Sequence, residues 1–101
     1  MSSASTDSLE TNLRKALNNG GLSLHYQPQI SLDTGGIIGC EALLRWNSDE
    51  LGMVSPAKFI PVAERSGLIL PLGGKVLKEA VRQLKAWHGM GFGHLYVSVN
   101  L

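Results

Sequence analysis

The side chains with chemistry to offer gather around one short run. Glu41 and Arg45 stand four residues apart in Cys40-Glu-Ala-Leu-Leu-Arg-Trp46. The segment Ile37 to Trp46 alternates, with Ile38, Cys40, Ala42, Leu44 and Trp46 on an apolar face and Ile37, Gly39, Glu41, Leu43 and Arg45 on the other. A period of two is a strand, so Glu41 and Arg45 project from the same face, about 13 Å apart. At that distance they cannot neutralise each other, and each needs a different partner. Carboxylate oxygens suit a hard divalent cation and the planar fork of arginine matches phosphate, so the two together fit a metal-bound phosphate. Asn100 adds another hard-metal oxygen at the end of a later strand-like run, and Gln27 and Gln29 offer amides from an earlier one. A solvated strand face accommodates the same Glu and Arg, and Asn at a strand end is ordinary turn chemistry, so spacing by itself leaves both readings open.

The elements that must position these groups can be read from periodicity. Leu9 to Leu17 has a helical stripe of Leu9, Leu13, Ala16 and Leu17, with Asp7 or Ser8 as its cap and Asn18-Asn19-Gly20-Gly21 as its stop. From Leu22 the period becomes two: Leu24, Tyr26, Pro28, Ile30 and Leu32 on one face, Ser23, His25, Gln27, Gln29 and Ser31 on the other. Pro28 cannot donate to a ladder and belongs on an unpaired side. Asp33-Thr34-Gly35-Gly36 is a turn of hairpin length, which sets Ile37 to Trp46 antiparallel to the first strand. Ser55 offers a capping hydroxyl before Pro56, and Pro61 divides the helical segment into two short pieces, 56–60 and 61–65, stopped near Gly67. A longer helix runs from about Pro71 to His88, with Leu72, Val76, Leu77, Ala80, Val81, Leu84 and Trp87 as its buried stripe. His94 to Leu101 alternates again, with Leu95, Val97, Val99 and Leu101 opposite Tyr96, Ser98 and Asn100.

Helix, strand, strand, helices, strand is an α/β order, and the crossover makes the second and third strands parallel with right-handed connection. Three strands with one long covering helix close a domain poorly, and the run stops at a strand. Both features predict a part of a larger unit. The 101 residues carry 44% hydrophobic and 17% charged residues at a net charge of +1, which excludes a disordered chain, a polybasic membrane signal and a basic footprint for a nucleic-acid polymer. One cysteine, Cys40, rules out an intramolecular disulfide and a cysteine-built zinc site and fits a reducing compartment. It shares the apolar face and is expected to be packed. Ser-rich residues 1–8 lack the parts of a signal peptide and read as a disordered or appended lead-in. His25, His88 and His94 show no metal-binding spacing. Gly89-Met90-Gly91-Phe92-Gly93 comes after a helix and precedes a strand, the reverse of a dinucleotide loop, and is a helix stop.

The combined text is more specific than any of its parts. Glu41-Ala42-Leu43 within Cys40 to Trp46 resembles the signature of EAL domains, the bacterial phosphodiesterases that linearise cyclic di-GMP. Tyr26-Gln27-Pro28, Gly52 to Pro56, Phe59 to Glu64, Ser66 to Ile69 and Ser98 to Leu101 look like further blocks of that family in family order. The resemblance implies the N-terminal portion, over residues 9–101, of a (β/α)₈ TIM-like barrel with an antiparallel first strand, about three of its strands being present. By position it implies Glu41 as catalytic and metal-ligating carboxylate, Asn100 as second ligand, and Gln27 and Arg45 as substrate-binding contacts to the dinucleotide phosphates. Magnesium or manganese would activate the water that gives linear pGpG. Asn47-Ser48-Asp49 stands where the family often has His-Pro. The later acidic ligands and the catalytic lysine lie beyond Leu101, so the fragment alone is expected to be inactive. The resemblance further implies a cytoplasmic setting, a parent that other segments can anchor to a membrane, and an upstream sensory or GGDEF-type domain. Exposed strand edges predict self-association of the 101-residue chain. A catalytically silent receptor for the dinucleotide, or a protein-interaction module, is the alternative reading.

Overall fold

The computed structural model describes residues 6–100. Its organising unit is the hairpin of β1 (Leu22–Ile30) and β2 (Ile37–Ser48), antiparallel with Gln27 opposite Glu41 and Ser23 opposite Arg45. The turn is wider than the four residues Asp33 to Gly36. β1 ends at Ile30 with a register shift after Gln29, and Leu32, expected on the strand's apolar face, is fully exposed in the turn. Ser31 closes it: its hydroxyl accepts the Asp33 and Thr34 amides, and its own amide donates to the Gly36 carbonyl at 2.9 Å. Such a local hydroxyl-to-backbone bond competes with the ladder and ends the strand early.

β2 runs two residues beyond Trp46 because a short strand unforeseen in the periodicity, β3 (Gly52–Val54), pairs with its end through Trp46–Val54, Asn47–Met53 and Ser48–Gly52. Three residues are too few to establish an alternation, so pattern alone misses it. β4 (Tyr96–Val99) lies parallel to β2, with Gly39 beside Tyr96 and Glu41 beside Ser98. β1 occupies one edge of β2, and β4 and β3 share the other. Pro28 thus sits on an edge strand, where a missing donor is tolerated.

The helices cover the apolar face. α1 (Thr6–Asn19) begins upstream of the expected cap, so Asp7 and Ser8 are helical and only residues 1–5 of the expected lead-in lie outside the described residues. Leu101, expected on the last strand's apolar face, also lies outside them. α1 ends where Gly21, at φ +102, passes so close to β2 that a Cβ there would meet the Asn47 carbonyl oxygen at 2.9 Å. Asn12, buried on α1, donates to the Ser8 carbonyl and to Glu50, and Lys15 pairs with Glu50 at 3.8 Å, so α1 is fastened to the β2–β3 turn.

α2 (Pro56–Ser66) is one helix where two pieces were expected. Pro61 costs the bond to the Ala57 carbonyl, but both residues lie on the exposed side of the helix, where a lost bond is cheap, and the helix continues. Ser55 precedes it without a side-chain cap, its backbone carbonyl accepting the Lys58 and Phe59 amides instead. α3 (Ile69–Gly89) stops at Gly91, φ +100, with the Phe92 amide bonded to the Trp87 carbonyl and the Gly91 amide to that of His88, the paired bonds of a left-handed helix stop.

Leu13, Trp46, Phe59 and Leu72 are the largest fully buried side chains, and the Trp46 and Phe59 rings meet edge to face at 5.4 Å. From α3 only Leu72, Val76 and Ala80 are buried. Leu77 and Val81, placed in the buried stripe by periodicity, are 54% and 48% exposed and share a flank with Leu70. At 100° per residue they lie too far round from Val76 to reach the sheet. The opposite flank, with Lys75, Glu79 and Arg82, borders a cleft of about 580 Å³ against Leu22 and Leu24 of β1.

This packing makes two outcomes testable. Phe59→Ala should cost about 3–5 kcal/mol in chemical denaturation, whereas Leu77→Ala should cost far less. Tyr26 packs edge to face on Trp87 at 5.1 Å with its hydroxyl buried and unpartnered among the described residues, and burial, then the charge of Glu79, raises its phenol above the ordinary value. A raised acid stabilises the fold fully below its unfolded value, about 10, and that stability is lost as pH rises through the folded value. Tyr26→Phe should be neutral or stabilising at pH 7 and should flatten the stability loss above pH 10, read by thermal unfolding across pH.

Candidate functional site

The sheet's second face carries no helix, and its side chains fall into rows. Alternation puts Ser23, His25, Gln27 and Gln29 of β1, Gly39, Glu41, Leu43 and Arg45 of β2, and Tyr96, Ser98 and then Asn100 of the third strand run on this face. The antiparallel register sets Gln27 directly opposite Glu41, and the parallel register sets Ser98 on Glu41's other side. Strands lie about 4.8 Å apart, so these three side chains are immediate neighbours. Asn100 comes two residues after Ser98 and stands one side-chain step nearer the C-terminal ends of the two parallel strands. Arg45, opposite Ser23, lies two steps beyond Glu41 in that same direction. Gln27 and Glu41 are therefore brought side by side, with Asn100 one step and Arg45 two steps further toward those ends.

Charge pairing separates this face from the rest of the surface. Among residues with described side chains, four charged groups are half-buried: Glu10, Glu41, Arg45 and Glu79. Glu10 is held by Arg14 at 3.0 Å and Glu79 by Arg82 at 2.6 Å, a contact that lowers the Glu79 carboxyl and raises the Arg82 guanidinium from their ordinary values. Glu41 has neither an ion pair nor a hydrogen bond among the described residues. Arg45 donates only to the carbonyl of its neighbour Leu44, at 3.3 Å. A half-buried carboxylate without a counter-charge is costly unless something else satisfies it.

Its oxygens and the Asn100 amide oxygen are hard donors that fit a divalent cation, while the open fork of Arg45 fits a phosphate. Two oxygen ligands are fewer than the six such a cation takes, and no group of three His, Cys, Asp or Glu that could hold a metal occurs among the described residues. This face can supply part of a metal site. Cys40 is buried on the opposite face, as expected. His88 ends α3 and bonds the Leu95 carbonyl at 2.9 Å, away from these rows. Periodicity did not signal two features, Ser98 beside Glu41 and the passage of Tyr96 across Gly39. The first needs the inter-strand register. The second has a trace in the sequence, a glycine in mid-strand.

An antiparallel lead strand before a parallel β–α–β unit, with acid, amide and guanidinium side chains on the face opposite the helices, is the arrangement of one part of an α/β barrel. The chain belongs to the EAL domain family, which matches residues 10–101. It is 50% identical over 93 residues to the cyclic di-GMP phosphodiesterase PdeR of Escherichia coli, covering 92% of this chain and 14% of PdeR. It is 45% identical over 89 residues to the bifunctional diguanylate cyclase/cyclic di-GMP phosphodiesterase MucR of Pseudomonas aeruginosa, covering 88% of this chain and 13% of MucR. The solved structure of the MucR phosphodiesterase in complex with cyclic di-GMP superposes with a TM-score of 0.85 at 44% identity, over 92% of this chain and 38% of that one. The chain thus spans about a seventh of these two relatives and well under half of that solved chain. Its fold is the N-terminal part of the TIM-barrel-like EAL architecture.

Because Glu41 has no ion pair or hydrogen bond among the described residues, Glu41→Gln should leave thermal stability unchanged or raise it slightly.

Proposed function

We propose that this chain builds the first part of a cyclic di-GMP phosphodiesterase domain, one that hydrolyses the cyclic dinucleotide to linear pGpG. The observation that carries the reading is the unpaired, half-buried Glu41 carboxylate, set between Gln27 and Ser98 in a chain of the EAL family. Glu41 and Asn100 would hold magnesium or manganese, which when bound polarises the phosphodiester and lowers the pKa of its attacking water. Arg45 at the rim would bind a phosphate in bidentate fashion, and the Gln27 amide, at the level of Glu41, would be a further contact to the dinucleotide phosphates. These are positioning and charge-stabilising roles, and they place the scissile phosphate at the C-terminal ends of the parallel strands, where barrels of this type keep their chemistry.

The relatives' greater length and the surface of this chain both support continuation past Leu101. β4 has an open edge, and Leu70, Leu77 and Val81 form an uncovered apolar flank on the side of α3 away from β1. The 101 residues alone would be inactive, because two ligands hold a cation weakly. They would also pair with a second copy to cover those surfaces. An upstream sensory or cyclase-type domain would enter through α1, and a single buried thiol suits the reducing cytoplasm.

The experiment uses the domain extended past Leu101, incubated with cyclic di-GMP and manganese or magnesium beside its Glu41→Ala variant, with linear product tracked by chromatography. Product from the parent should fall by more than about 100-fold in the variant, beyond the 10- to 100-fold that loss of an outer partner of a metal ligand costs. Tight binding with no product from either protein would replace the enzyme with a receptor. Neither binding nor product would reduce the likeness to fold.

A further inference from the structure

We propose that Tyr96 is a positioning residue for the Glu41 carboxylate, and that Gly39 is glycine so that the Tyr96 ring can lie across the strand beneath it. The inference rests on Glu41 being a metal ligand and names what holds it ready.

Gly39 and Tyr96 are register partners in the parallel β2–β4 pair, so their side-chain positions share the polar face. A Cβ built on Gly39 would stand 2.8 Å from both Cδ1 and Cε1 of the Tyr96 ring and 2.7 Å from the Tyr96 carbonyl oxygen. Real Cβ atoms do not approach so closely. The Tyr96 carbonyl oxygen and ring together therefore fill the space that any other residue at position 39 would claim, so the strands approach closely here in backbone as well as side chain. Gly39 needs no special backbone here, since its φ is not left-handed. It is required for room.

Position 39 precedes Glu41 by two residues on the same face, about 6.6 Å along the strand on its N-terminal side. The third member of that layer, Gln29, faces Gly39 from β1, and its Oε1 is buried with no partner among the described residues. The layer beneath Glu41 is thus already closed enough to shut an amide oxygen away from solvent, although the helix-free face is open elsewhere. Tyr96 itself remains 46% exposed, so the ring is held by the close approach to β2 and not by a full enclosure.

The consequence is electrostatic and steric. Tyr96 sets an aromatic ring in the layer beneath the carboxylate, on the side away from Asn100 and Arg45. Attraction between a carboxylate and a cation grows as water is excluded, and a ligand with fewer accessible rotamers loses less entropy on binding. The floor raises affinity for the metal and aims it toward the C-terminal ends of the strands, without touching substrate.

The test compares Tyr96→Phe, Tyr96→Ala, Gly39→Ala and Glu41→Ala in the domain extended past Leu101. Manganese affinity is read by calorimetry, kcat and KM by product formation, and Tm by thermal unfolding. Tyr96→Ala and Gly39→Ala should each weaken manganese binding and lower kcat by about tenfold, within the 10- to 100-fold range for groups that orient metal ligands, with KM within about twofold. Tyr96→Phe keeps the ring and should match the parent. Should Gly39→Ala fail to fold, Tyr96→Ala decides by itself, since it only removes atoms. Unchanged manganese affinity and kcat in Tyr96→Ala, beside a Glu41→Ala that abolishes both, would overturn the positioning role and leave the metal site standing. A Glu41→Ala variant that binds manganese like the parent would overturn both.

Discussion

The alternation of side chains along β2 is the constraint on which the rest of the structure depends. β2 is the only described strand with a neighbour on each edge, and each of its faces has a separate task. Leu44 and Trp46 look into the core beneath α1, α2 and α3, while Glu41 and Arg45 look the other way. A slip of one residue would exchange the two sets and bury a carboxylate among Phe59, Leu13 and Leu72. The core and the site are therefore specified by one register. The Ser31 turn and the tight passage of Gly21 against Asn47 at the two ends of β1 hold that register.

The core accounts for stability and the polar face does not. Trp46 and Phe59 dock edge to face, with α1 and α2 closing over them, and the β2–β3 turn is tied back to α1 through Glu50. On the other face, Glu41 and Arg45 are half-buried and have no counter-charge among the described residues, whereas Glu10 and Glu79 on the helices each have an arginine partner. A sequence selected for stability alone would pair or remove the two strand charges. The two charges share their face with Gln27 and Ser98, the neighbours that the inter-strand register gives Glu41.

Two open surfaces flank α3. Its Leu70–Leu77–Val81 flank lies on the β4 side, and its Lys75–Glu79–Arg82 flank lies over the cleft beside β1. In a closed barrel every helix is buried on both sides by its neighbours, and each strand is paired on both edges. The first part of such a barrel, spanning 38% of the MucR phosphodiesterase structure, would leave both flanks of α3 and the edges of β1 and β4 open in this way.

Much of the fold was legible in the sequence. The two faces of β2, the antiparallel hairpin, the parallel crossover and the helix stop at Gly91 all arise from periodicity and turn residues, because those signals are local and repeat over several residues. The family blocks around Glu41, Gln27, Arg45 and Asn100 identified the site residues as candidates. Other features depended on partners distant in the chain. β3 exists because the end of β2 offers it a ladder. α2 continues through Pro61 on a side of the helix that faces away from the core. Leu77 and Val81 are exposed because the rotation of α3 is set by Leu72 and Val76 against the sheet. Composition and spacing determined which residues share a face. Only the tertiary structure decided which of them are neighbours across strands, that Ser98 stands beside Glu41 and that Tyr96 lies over Gly39, because inter-strand register is a long-range property that no single segment contains.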